Sequence, residues 1–142
     1  MSAKVFVDTN VIIYLYSSDE PEKQFVAQEL ILTHSIWIST QVVSEFSNVL
    51  RKRFNQDYRF IREAVAELTE SSQVAIITLD MIYNAFMLAE RYQYSYYDSL
   101  ILAAALKTGC SKLYTENLQD GQVIDSTLTI QNPFRSISQG TS

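Results

Sequence analysis

Cysteine occurs once, at Cys110, so the chain has no internal disulfide, and nothing around that residue is spaced as a zinc site requires. Histidine also occurs once, at His34, which disfavours a zinc centre built on several histidines. The neighbours of His34 suggest a helix end, so a structural role is favoured over a catalytic one. Only 3 glycines and 2 prolines are present, which leaves little material for long loops or linkers. No repeat or low-complexity tract is found. No uninterrupted apolar run approaches the length of a membrane span. The first apolar run follows Lys4 but is short and broken by Asp8, unlike a signal peptide. A reducing cytoplasm is therefore the expected compartment.

What is present fits a globular chain. The hydrophobic fraction is 47% and the charged fraction 19%, far from the composition of disorder. A length of 142 residues suits one domain, expected over 1–135, with a polar tail over 136–142 expected to fray. The net charge of -5 argues against a generic nucleic-acid binder. Setting aside four of the 16 acids, Asp8, Glu45, Asp98 and Glu116, leaves 12 against 11 lysines and arginines. If those four surround a cation, the remainder is near neutral and need not repel a polyanion.

The periodicity alternates strands with helices. Lys4–Val7 reads as a buried strand and Val11–Tyr16 as the start of a short helix. Glu22–Thr33 has helical spacing, and Ile36–Ser39 is rich in β-branched and aromatic residues. Ser39 or Thr40 caps a helix over Gln41–Arg53, followed by a helix over Phe60–Ser71 and an extended Val74–Ile77. Met81–Tyr92 and Tyr97–Thr108 read as helices, the second ended by Gly109. Lys112–Thr115 and Leu128–Gln131 are strands. This alternation predicts a parallel sheet covered on both faces.

Four acids fall at element boundaries. Asp8 ends the first strand, where open α/β sheets place their ligands. Glu45 sits with Gln41, Asn48 and Lys52 on one polar stripe of an otherwise apolar helix. Asp98 opens a nearly all-apolar helix, where the helix dipole favours a carboxylate. Glu116 follows the Lys112–Thr115 strand, with Asn117 and Asp120 close by. Singly, each has an ordinary reading as turn former, solvated face or helix cap. Together they suit a hard divalent cation, which relieves their repulsion and can activate water against a phosphodiester.

The combined pattern resembles the PIN-domain ribonuclease family, particularly its VapC-like branch. The likeness rests on Val7-Asp8-Thr9-Asn10-Val11, Ser44-Glu45-Phe46, Tyr97-Asp98-Ser99-Leu100-Ile101 and Thr115-Glu116-Asn117-Leu118. It implies an α/β fold, a three-layer α/β/α sandwich with a mainly parallel central sheet. It further implies Mg2+- or Mn2+-dependent endonucleolytic cleavage of RNA, a toxin's role beside a cognate antitoxin protein, and a homodimer. By that resemblance Asp8, Glu45 and Asp98 are the catalytic, metal-binding carboxylates, joined by Glu116 or by Asn117 or Asp120. Thr9, Asn10, Ser99 and Thr115 would orient them. The chain departs from the family at Asn117, where similar members often carry aspartate, which leaves open a weakened PIN-like module that binds RNA or protein without cutting.

Arg51, Lys52 and Arg53 form the densest basic cluster and are candidate phosphate contacts, although a basic helix end also complements the dipole. Tyr92, Tyr94, Tyr96 and Tyr97 crowd the approach to Asp98, for stacking on bases, core packing or a dimer interface. A phospho-acceptor receiver domain is a weaker alternative, since receivers want paired acids after the first strand and only Asp8 stands there.

Overall fold

The computed structural model describes residues 3–140. Strand β1 (Lys4–Val7) forms because Val5, Phe6 and Val7 can be buried on both faces of a parallel sheet, and all three are fully buried. Helix α1 (Thr9–Ile13) follows at once and continues as a 3-10 turn over Tyr14–Tyr16. It begins two residues before the expected Val11, because the Asp8 carboxylate itself accepts from the Thr9 N–H and caps it. Helix α2 (Pro21–Thr33) leads to β2 (Ser35–Ser39). Helices α3 (Thr40–Lys52) and α4 (Tyr58–Glu70) lead to β3 (Gln73–Ala75). Helices α5 (Leu79–Tyr92) and α6 (Tyr96–Lys107) return the chain to β4 (Lys112–Tyr114). Strands β5 (Val123–Ile124) and β6 (Leu128–Gln131) and helix α7 (Arg135–Gly140) complete the order.

The strand order is β3-β2-β1-β4-β6-β5. Strand β1 is central and pairs in parallel on both sides, with Phe6 opposite Trp37 of β2 and Leu113 of β4. Strand β5 runs antiparallel to β6. Two residues are too few to show a periodicity, so β5 is absent from the sequence expectation. Helix α7 covers most of the stretch expected to fray, and residues 141–142 lie outside the described residues.

The chain steps from β1 through β2 to β3 in one direction, then crosses back to place β4 on the other flank of β1. Right-handed crossovers travelling in opposite directions put their helices on opposite faces of the sheet. That yields the three layers, and it makes the carboxyl ends of β1 and β4 the point where the topology reverses. Helix α6 is the buried helix of its layer, with every residue from Ser99 to Ala105 in the core. Gly109, at φ +74, supplies the left-handed residue that ends it. His34 caps the end of α2, its ring edge-on to Tyr114 at 5.7 Å.

Candidate active site

Asp8 lies at that reversal and is only 5% exposed. Its Oδ1 accepts from the Thr9 N–H at 2.7 Å. Its Oδ2 accepts from the Thr115 hydroxyl at 2.9 Å and from the Asn10 amide at 3.1 Å. The same Asn10 amide donates to Thr115 Oγ1 at 3.1 Å, and Asn10 Oδ1 accepts from the Glu116 N–H at 3.1 Å. Asn10 therefore straps the end of β1 to the end of β4. Burial pushes the Asp8 carboxyl up to about 6, against the hydrogen bonds from Thr115 and Thr9, and the negative charges of Glu45 and Asp98 push it further. Those three acids share one field.

Glu45 reaches the group from α3. Its Oε1 accepts from the Thr9 hydroxyl at 2.6 Å and its Oε2 from the Gln41 amide at 3.2 Å. The Gln41 amide also donates to the Tyr97 carbonyl at 3.1 Å, tying α3 to the start of α6. Asp98 lies in the first turn of α6, and its N–H donates to Ser95 Oγ at 3.2 Å. Ser95 is the helix cap, so the Asp98 carboxylate is not used for capping. Ser99, one residue on, is fully buried and its hydroxyl has no partner within the protein.

The candidates for a fourth position each have partners of their own. Glu116 is bound by two side chains that sequence reasoning missed. Its Oε1 accepts from the Tyr14 hydroxyl at 2.5 Å, and its Oε2 pairs with Lys23 Nζ at 3.3 Å. Asn117 is exposed, and its N–H donates to Thr115 Oγ1 at 3.2 Å. Asp120 is engaged in a separate turn, accepting from the Asn132 N–H at 2.7 Å and pairing with Arg135. The Asn132 N–H and the Arg135 charge hold its carboxyl below the usual carboxylate range.

A cleft of about 370 Å³ opens beside these groups, lined by Thr9, Tyr14, Glu45, Asn48, Arg53 and Glu116. A second, of about 520 Å³, is lined by Gln41, Ser44, Glu45, Asn48, Ile77 and Tyr97. Glu45 and Asn48 belong to both, so one groove crosses the polar stripe of α3. Of the basic cluster, Arg53 lines the groove. Arg51 stacks on Tyr58 at 5.2 Å and donates to the Gln56 carbonyl at 3.2 Å, and Lys52 is exposed on the last turn of α3.

A family model, the PIN domain, matches residues 5–119. The chain belongs to the PIN-domain family. The match takes in Asp8, Glu45, Asp98, Glu116 and Asn117 of this PIN domain and stops one residue short of Asp120. Solved structures share its fold. A toxin–antitoxin complex from Klebsiella pneumoniae is 24% identical, with 91% of this chain and 97% of that one covered at a TM-score of 0.68. A sarcin-ricin loop cleaving VapC toxin from Mycobacterium tuberculosis is 23% identical, with coverages of 77% and 86% and a TM-score of 0.64. A DNA-bound VapBC complex from Salmonella typhimurium is 17% identical, with coverages of 92% and 98% and a TM-score of 0.65. No curated protein matches the chain.

The donor chemistry of this PIN domain suits Mg2+ or Mn2+. The acids are oxygen donors, although among the described residues no group of three or more acidic, histidine or cysteine side chains is gathered closely enough to hold an ion by itself. A Mg2+ ion retains several waters and needs only one or two carboxylates, so an open set of acids at a groove fits it better than zinc. Asp8, Glu45 and Asp98 are the side chains that would hold it.

Proposed function

We propose that this protein is a Mg2+- or Mn2+-dependent endoribonuclease, the toxin of a toxin–antitoxin pair. The observation that carries this reading is the buried Asp8 carboxylate at the sheet's reversal, raised chiefly by its burial and further by the nearby charges of Glu45 and Asp98. Bringing like charges together in a cleft is unfavourable unless a cation joins them. When bound, that cation would polarise a phosphodiester and lower the pKa of an attacking water.

The remaining work belongs to the chain. Thr9, Asn10 and Thr115 lock both oxygens of Asp8 in one orientation. Thr9 and Gln41 hold the Glu45 carboxylate at the groove wall, where it can accept a proton from water. Arg53 offers a phosphate contact at one end of the groove and Tyr97 an exposed ring at the other. A single strand lying along the groove would pass over Glu45 between them. Solved relatives described as toxin–antitoxin complexes support a cognate antitoxin as partner. The exposed row Leu79, Tyr83 and Phe86 on α5 supports a homodimer, and the lone buried cysteine a reducing cytoplasm.

The test is RNA cleavage with Mn2+ by the natural protein, Asp8→Asn and Asp98→Asn. Loss of one carboxylate is expected to reduce the rate by about 100-fold or more, within the range seen when metal-site groups are removed. Equal cleavage by all three sinks the assignment. One observation favours a second reading, a binding module that does not cut: Glu116 is already neutralised by Lys23 and Asn117 carries no charge. That module would bind RNA while calorimetry with Mn2+ shows no heat.

A further inference from the structure

Lys23 sits in the first turn of α2, two residues after Pro21. A cation there opposes the helix dipole, so the helix gives no reason for it. Its surroundings do. Nζ lies 3.3 Å from Glu116 Oε2 and 3.2 Å from the Tyr14 hydroxyl. It also stands 4.9 Å from the Tyr14 ring centroid and 5.6 Å from that of Phe134. The two rings meet edge-on at 4.8 Å. The pair is sheltered, with Lys23 20% and Glu116 22% exposed, so it is screened less than a surface ion pair. The Tyr14 hydroxyl holds the other Glu116 oxygen at 2.5 Å. Both oxygens of Glu116 are thus occupied, one by a fixed positive charge. Its backbone is still tied to the Asp8 network through Asn10.

We infer that Lys23 is a built-in counter-ion that withdraws Glu116 from the metal-binding set and makes this a one-cation site. The inference rests on the proposed nuclease reading and specifies how its site is loaded. Four uncompensated carboxylates would attract two divalent ions. With Glu116 matched by Lys23, only Asp8, Glu45 and Asp98 remain to be neutralised, and one divalent ion leaves them a single negative charge. Lys23 acts through Glu116 and is a positioning residue.

Mn2+ titration of the full chain tests this by calorimetry and electron paramagnetic resonance. The natural protein should bind one Mn2+, and Glu116→Gln, which leaves Lys23 unmatched, should still bind one, weakened far less than in Asp98→Asn. Lys23→Met keeps the apolar stem between the rings but removes the charge. It should take a second Mn2+ or bind the first about 10-fold more tightly, the scale on which neighbours of metal ligands act. The double variant Lys23→Met with Glu116→Gln should lose that gain, and Lys23→Arg should behave as the natural protein. If Glu116→Gln alone weakens Mn2+ binding as much as Asp98→Asn, or Lys23→Met binds Mn2+ as the natural protein does, the inference is overturned. The nuclease reading survives that result provided Asp8→Asn abolishes binding. If no variant binds Mn2+, both fall. Should Lys23→Met not fold, the Glu116→Gln and Asp98→Asn titrations still decide.

Discussion

Asp8 is stabilised as an acid more than as an anion. Its ordinary value of 3.8 rises to about 6 in the native protein, chiefly through burial. The native state therefore takes up its proton before the unfolded chain does. The stability this confers is complete below about pH 4 and is lost as the pH rises through about 6. At neutral pH and without metal, the ionised carboxylate costs up to roughly 3 kcal/mol, from about two pKa units at 1.36 kcal/mol each. Asparagine mimics the neutral acid. Asp8→Asn should therefore gain stability relative to the natural protein as the pH goes from about 4 to about 7.5 in a chelator, a difference readable in urea midpoints. The same difference at both pH values would mean that Asp8 is not held in this state. The buried acid to which the proposed function assigns a cation is thus a liability when it ionises alone.

At the scale of elements, the acids are presented by ends, and each end has its own cap. Ser95 takes the capping role on α6 and leaves the Asp98 carboxylate outward, half-buried and available. Ser95→Ala should lower stability by about 1 kcal/mol, the usual value of a cap. Asp98→Asn should lower it far less while removing cleavage. Urea denaturation beside an RNA assay separates the two, and a large stability loss in Asp98→Asn would return Asp98 to a structural role.

Local signals single out Asp8, Glu45 and Asp98 in the sequence, a strand end, a polar stripe on an apolar helix, and the start of an apolar helix, and the fold brings the charges of Glu45 and Asp98 to bear on Asp8. The alternation of strands and helices similarly showed the parallel sheet, because buried strands and amphipathic helices leave different periods. The partners of Glu116 leave no such trace. Tyr14 and Lys23 lie 102 and 93 residues from it, and their meeting depends on how α1 and α2 fold back beside β4. Asp120 was the opposite case, close in sequence to the site but drawn by Asn132 and Arg135 into a different turn.

For the whole molecule, one exposed apolar band runs along α5. Leu79, Tyr83 and Phe86 follow one another at helical spacing on α5, and are 65%, 60% and 48% exposed. Tyr83 and Phe86 meet at 5.9 Å, and Phe86 leans on Tyr96 at 5.8 Å. Tyr96 in turn contacts Tyr97 at 5.0 Å, on the lip of the groove. Such a run of large apolar side chains is unusual on a protein that stays alone in water. A symmetric dimer through α5 would bury the apolar band next to Tyr97 on the lip of the groove. The expected result is a concentration-dependent dimer in sedimentation equilibrium, converted to monomer by Phe86→Asp with the circular dichroism spectrum unchanged. Cleavage per chain should fall in that monomer only if a strand of RNA spans both grooves, so assaying a long RNA against a short oligonucleotide shows whether the dimer serves catalysis or only covers the apolar face. A natural protein that sediments as a monomer throughout would leave the band to another partner.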